Sequence, residues 1–178
     1  MKENWKHSFD MMIDSEGGFQ DDPRDSGNQL ADGRRGCTNL GVTQAVWEEY
    51  VGHKVSTQDM RNLTPALVEP MYRRKYWDAC RCNDLPNGVD YLVFDFAVNA
   101  GVGRSAKTLQ SAVGATPDGA IGPMTLAAIN SYPPAELIEK FSQAKEAFYR
   151  SLDTFETYGT GWLNRVADVK LKASSMVA

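Results

Sequence analysis

The sequence predicts a mostly helical α+β fold: many short helices around one central buried helix, with a small β-ribbon and loop lobe near the N-terminus. Three observations carry this. Apolar residues recur at helical intervals along most of the chain. The stretch VDYLVFDFAVNA, residues 89–100, is apolar on nearly every side apart from Asp90, Asp95 and Asn99, as a helix at the centre of a domain must be. Residues 19–41, by contrast, are rich in Asp, Gly, Asn and Arg with little period, which reads as loop plus a short β-ribbon. A chain of 178 residues suits one domain, and no linker, repeat or low-complexity tract divides it.

The elements follow in order. Trp5, Phe9, Met12, Ile13 and Glu16 fall on one helical stripe, and Gly17-Gly18 is expected to stop that helix in a left-handed terminus. After the polar loop, Thr43 can cap a helix through Tyr50 that ends at Gly52. Ser56 or Thr57 starts a short helix containing Met60 and Leu63. Thr64-Pro65 starts another, carrying Leu67, Val68, Met71, Tyr72 and Tyr76, because proline is preorganised for the first helical turn. Past the central helix, residues 104–113 form a helix closed by Gly114, and TPDGAIGP is a turn leading to a helix start at Gly122-Pro123. Pro133-Pro134 opens the clearest amphipathic helix, with Leu137, Phe141, Ala144, Phe148 and Leu152 on one face. A last helix is expected from Trp162 through Val169, with the tail SSMVA frayed.

Charge narrows the function. With 19 Lys+Arg against 23 Asp+Glu the chain has a net charge of −4, which argues against a sequence-independent nucleic-acid binder. The acidity is lopsided: residues 1–60 hold 6 basic and 11 acidic side chains, residues 61–178 hold 13 and 12. No N-terminal run is apolar enough for a signal peptide or a membrane span, so a cytoplasmic chain without stable membrane insertion is expected. Cys37, Cys80 and Cys82 are read as reduced thiols, with a bridge from Cys37 to Cys80 or Cys82 as the open alternative. Only His7 and His53 are available, too few for a zinc amidase and without context for a cysteine peptidase, and Asp21–Asp32 lacks EF-hand spacing. No metal or other cofactor is expected.

Glu16 is a carboxyl group on an otherwise apolar stripe, beside a Gly-Gly break. Desolvation favours the neutral form of such an acid, and an acid kept protonated can serve as a proton donor. Nine residues on, Asp25 lies in the loop with Asp21, Asp22 and Asp32 nearby. Hydrolysis of a glycosidic bond needs a second carboxylate to activate water or to stabilise charge on the sugar. Thr38 and Asn39, at the far end of the ribbon, offer a hydroxyl and an amide. By spacing alone the aspartates are equally well ordinary turn formers.

Glu16-Gly17-Gly18-Phe19 resembles the Glu-Gly-Gly-aromatic signature of glycoside hydrolase family 108, the phage-type N-acetylmuramidases. The resemblance continues through Asp22-Pro23-Arg24-Asp25, Thr38-Asn39-Leu40-Gly41-Val42-Thr43, Tyr72-Arg73-Arg74-Lys75-Tyr76-Trp77 and Phe94-Asp95-Phe96-Ala97-Val98-Asn99-Ala100-Gly101. Asp118-Gly119-Ala120-Ile121-Gly122-Pro123, with Thr125, is similar to the predicted peptidoglycan domain that follows in these proteins. Residues 26–37 form a longer loop than the compact one of the family. The resemblance implies a lysozyme-like fold, with a catalytic-motif half over about 1–100 and a peptidoglycan-domain-like half over about 101–175. It implies a phage or prophage endolysin that hydrolyses the β-1,4 bond between N-acetylmuramic acid and N-acetylglucosamine. Glu16 would be the catalytic acid, with Asp25 and Thr38 as its partners.

Trp77 and Tyr76 are candidates for stacking on a sugar face, and Asn99 for hydrogen-bonding one, since an amide on a buried helix needs a partner. The expected partner is the peptidoglycan glycan strand, met by a monomer that leaves the host cytoplasm through a holin-permeabilised membrane. Two alternatives stay open: a lytic transglycosylase on the same bond, and a non-catalytic wall-binding or phage structural protein.

Overall fold

The structure, a computed structural model, describes residues 4–177. It is mostly helical with one small two-stranded sheet, and it divides into two compact units, one of Phe9–Arg73 and one of Met1–Ser8 with Arg74–Ala178. The chain passes between the compact units at Ser8/Phe9 and at Arg73/Arg74, both within helical segments.

The smaller unit takes the second half of helix α1 (Asn4–Ile13). This helix stops short of Glu16. Asp14 N–H still bonds the Asp10 carbonyl, but Ser15 and Glu16 bond back three residues, to Met12 and Ile13, which tightens the chain into a turn. Gly17 and Gly18 are not left-handed, so the expected glycine terminus is replaced by this turn. The chain then runs through the polar loop to an antiparallel ribbon, β1 (Thr38–Asn39) and β2 (Val42–Thr43), with Thr38 opposite Thr43 and Asn39 opposite Val42. Leu40 (φ 52°) and Gly41 (φ 74°) join the strands, the two positive φ angles that a two-residue type I′ hairpin requires.

Helix α2 (Gln44–Val51) starts on Thr43, whose hydroxyl accepts from Val46 N–H, and ends at Gly52. Helix α3 (Thr57–Arg61) carries a full capping box between Ser56 and Asp59. Helix α4 (Pro65–Tyr72) is capped by Thr64 with Pro65 in its first turn, and passes directly into a π-helical stretch, Arg73–Asp78. Phe9, Met12, Val42, Met60, Val68, Met71 and Tyr72 form the core of this unit.

In the larger unit, α5 (Val89–Ala100) is the central helix: every residue from Val89 to Ala97 is buried. Around it pack α6 (Val102–Ala112), α8 (Pro134–Arg150) and α9 (Phe155–Ser175), with α7 (Pro123–Ile129) between α6 and α8 in sequence. Trp5, Trp77 and Phe94 meet edge to face with ring centres 5.4–5.6 Å apart. Helix α9 is far longer than its periodicity suggests. It begins seven residues earlier, and Ser174 and Ser175 extend the last turns; only Ala178 of the SSMVA tail lies outside the described residues. The backbone of Ala173 packs directly on Gly88, at a place where any Cβ would collide, so the tail is held and not frayed. No helix of the described residues is long and apolar enough to cross a membrane.

Candidate active site

Glu16, Asp25 and Thr38 all belong to the smaller unit. The half-buried Glu16 carboxyl lies against the hairpin turn. A Cβ on Gly41 would stand 2.8 Å from both Glu16 Oε2 and the Tyr72 hydroxyl, so the missing side chain of Gly41 is what lets the carboxyl sit there. Tyr72, itself buried, donates its hydroxyl to the Leu40 carbonyl at 2.9 Å and so ties α4 to the same turn.

Asp25 is exposed and caps a single 3-10 turn, Ser26–Asn28, accepting Gly27 N–H at 2.8 Å. Its other oxygen accepts Gln20 Nε2 at 2.6 Å. Gln20 Oε1 in turn accepts Asn28 Nδ2 at 2.7 Å, and Asn28 Oδ1 accepts the Thr38 hydroxyl at 2.8 Å. The result is a directed chain, Thr38 to Asn28 to Gln20 to Asp25, in which every proton points toward the carboxylate. Two backbone bonds between Gln20 and Thr38, of 2.8 and 2.9 Å, close the whole loop between them. The long segment 26–37 is accordingly ordered: Gln29 bridges Arg35, Leu30 is buried, and Arg34 grips both Asp32 and Glu48.

The other aspartates are spoken for by cations. Asp22 takes a bidentate grip from Arg24, and the side-chain hydrogen bond from that guanidinium is the main reason its carboxyl is held down at about 2. Asp32 is bonded by Lys54 and Arg34, which hold it well below the ordinary carboxylate range. Asp21 stands 4.0 Å from Arg61. Asp25 differs in that its hydrogen-bond donors are neutral. A carboxylate so held keeps lone pairs free for a water, and Thr38, having donated its proton to Asn28, presents its oxygen as an acceptor. Asn39 does not take part: its amide donates to the Met60 carbonyl at 2.8 Å and braces α3.

The three expected sugar-binding residues lie in the other unit, and one of them is corrected. Trp77 is fully buried, with its indole N–H on Asn83 at 2.9 Å and its ring enclosed by Trp5 and Phe94, so no face is left for a sugar. Tyr76 is half-buried. Asn99 is exposed, and its amide finds a partner within its own helix, the Asp95 carbonyl one turn back at 2.6 Å. Cys37, Cys80 and Cys82 are buried free thiols. Among the described residues no group of three or more His, Cys, Asp or Glu could hold a metal ion.

A family model for glycosyl hydrolase 108 matches residues 9–101, more than half of the chain. The chain belongs to glycosyl hydrolase family 108. A second model, a predicted peptidoglycan domain, matches residues 104–167. Among solved structures the chain is similar to SagA of Brucella abortus, at 35% identity over 99% of this chain and 97% of that one, with a TM-score of 0.87. No curated protein sequence matches it. The mostly α, lysozyme-like fold expected from the sequence is therefore the observed one, and the protein is a glycoside hydrolase of peptidoglycan. The sequence offers Glu16, Asp25 and Thr38 as candidates; Gly41, Tyr72, Gln20 and Asn28, which surround them in the structure, carry no such signal in the sequence.

Proposed function

We propose that this family 108 hydrolase is an N-acetylmuramidase that cleaves the β-1,4 bond between N-acetylmuramic acid and N-acetylglucosamine, and that it serves as a phage or prophage endolysin. The seating of Glu16 on the hairpin turn carries the reading, together with the hydrogen-bond chain that joins Thr38 to Asp25. Glu16 protonates the leaving glycosidic oxygen. Asp25 orients and deprotonates the incoming water, which Thr38 helps to hold through its free lone pairs. Gln20 and Asn28 keep that pair aligned. Tyr76 and Asn99 retain accessible surface for sugar contacts. Release from the host cytoplasm through a permeabilised membrane completes the role.

Mass spectrometry of digested peptidoglycan tests the chemistry. A muramidase gives N-acetylmuramic acid reducing ends, whereas a transglycosylase gives 1,6-anhydro products and a wall-binding protein gives none. Glu16→Gln should abolish product formation while the thermal midpoint stays put, and Asp25→Asn should lower turnover by roughly a hundredfold or more, in the range ordinary for a general base. A Glu16→Gln enzyme of near-wild-type rate would remove Glu16 from the mechanism.

A further inference from the structure

Outside the catalytic motif, α6 and α8 of the larger unit border an open groove of about 490 Å³. Arg104, Lys107, Thr108 and Ser111 recur along α6 at the spacing of a single helix face. That face is opposite the one carrying buried Ala106, Leu109 and Gln110. Phe148 and Ser151 line the other wall.

Two features of the groove favour an anion. Arg104 lies over the Phe148 ring, with its guanidinium carbon 4.8 Å from the ring centre, which fixes the plane of the fork without using its hydrogen-bond donors. Lys107 rests its aliphatic stem on Gly119, where a Cβ would come 3.3 Å from Cε. Neither cation makes an ion pair among the described residues. Asp118, on the turn beside Lys107, is hydrogen-bonded by Ala120 N–H and Gln110 Nε2, which with a smaller pull from the Lys107 charge hold its carboxyl below the ordinary range. Two cations without a direct ion pair, of which only Lys107 feels a nearby carboxylate, flanked by hydroxyls and an aromatic wall, suit a carboxylate attached to a short aliphatic chain.

We propose that this groove binds the carboxylates of the peptidoglycan stem peptide, as a site separate from the one that cuts the glycan. The proposal rests on peptidoglycan being the substrate. Every residue named on the groove walls falls within the segment matched by the predicted peptidoglycan domain, residues 104–167. A neutral glycan has no group that uses two cations, and the stem is the anionic part of the polymer.

The test is an NMR titration of the full chain with a disaccharide–tetrapeptide, a peptide-free disaccharide whose lactyl carboxyl is capped as its amide so that it carries no charge, and a poly(glycerol phosphate) chain. The disaccharide–tetrapeptide should shift resonances of residues 104–111 and 148–151, and the peptide-free disaccharide should not. Added salt should weaken binding. The exposed pair of changes Arg104→Gln and Lys107→Gln should weaken it by roughly tenfold, about the worth of one charge-assisted hydrogen bond, without moving the thermal midpoint. Equal binding of the peptide-free disaccharide, wild-type affinity in the double variant, or stronger binding of the phosphate polymer would each overturn the proposal. The titration needs no catalysis. Absence of muramidase products from the wild-type enzyme would therefore sink the functional reading and leave this result to be judged alone.

Discussion

Gly41 shows how one residue serves both the turn and the seating of a neighbouring carboxyl. Its φ of +74° closes the β1–β2 turn, and its bare Cα leaves the volume that the Glu16 carboxyl fills. Gly41→Ala should therefore fail twice. It adds strain of about 1 kcal/mol or more in the left-handed region, and it pushes Glu16 off its seat. Hydrolysis should fall much further than the loss of stability explains. Gly17→Ala and Gly18→Ala are the contrast: neither glycine has positive φ, and nothing stands within 4 Å of an added Cβ. Their unfolding free energies should stay within about 0.5 kcal/mol of wild type. Urea unfolding with parallel rate measurements decides between the two classes. If Gly41→Ala kept full activity, Gly41 would not be the seat of the acid. The sequence makes Gly17-Gly18 conspicuous and Gly41 inconspicuous because a doubled glycine is visible locally. The partner that demands Gly41 is 25 residues away. Gln20 and Asn28 escaped notice for the same reason: an amide becomes informative only once its hydrogen-bond partners are known.

Secondary-structure elements were legible wherever their ends carry chemistry. Thr43, Ser56, Thr64-Pro65 and Pro133-Pro134 each mark a helix start in the sequence and stand at one in the structure. Helix α9 has no such mark, and Gly159 and Gly161 dilute its early turns; Gly159 is accommodated because the Phe155 ring occupies the space beside it. The loop lobe is the least legible element, since its order comes from ion pairs. Arg34 bonds Glu48 on α2 at 2.7 and 3.0 Å, and Glu48 also accepts Val55 N–H and Gln44 Nε2. The Arg34 hydrogen bond is the main cause that lowers Glu48 to about 2, against an ordinary value near 4.5. A carboxyl depressed on folding contributes stability that is present above its unfolded value and is lost as pH falls through the folded one. The loop should thus loosen between about pH 4.5 and 2. Glu48→Gln should make unfolding free energy less steep in that window and leave little difference from wild type at its acid end. Chemical denaturation at stepped pH measures this; an unchanged slope would mean that the Arg34–Glu48 contact does not persist in solution.

For the whole molecule, the uneven charge of the sequence has two structural counterparts. The acidic first third contains the polar loop with the candidate site, where most carboxylates pair with local cations and Asp25 is held by neutral groups. The near-neutral remainder hides its most consequential charges. Asp95, Lys145 and Arg165, spread over 70 residues of sequence, converge in the larger unit and join α5, α8 and α9. Lys145 Nζ lies 2.6 Å from one Asp95 oxygen, with both side chains 1% exposed, and Arg165 lies 2.8 Å from the other. Burial opposes the charge on Asp95, but the attraction of the two cations outweighs it and holds the carboxyl below its usual range. Composition could not reveal this, because a lysine on an amphipathic helix reads as solvated until its neighbours are known. Asp95→Asn would leave the Lys145 ammonium, deep in the core, without its counterion. The cost should be about 3–5 kcal/mol, lowering the thermal midpoint by roughly 10 °C. The triple change Asp95→Leu, Lys145→Met and Arg165→Leu removes all three charges, and should be less destabilising than Asp95→Asn alone, because no ion is then left buried without its partner. Calorimetry of the two variants separates the causes. If the triple variant melts at or below Asp95→Asn, the three helices depend on the attraction within the cluster itself, and not merely on the absence of an unpaired charge.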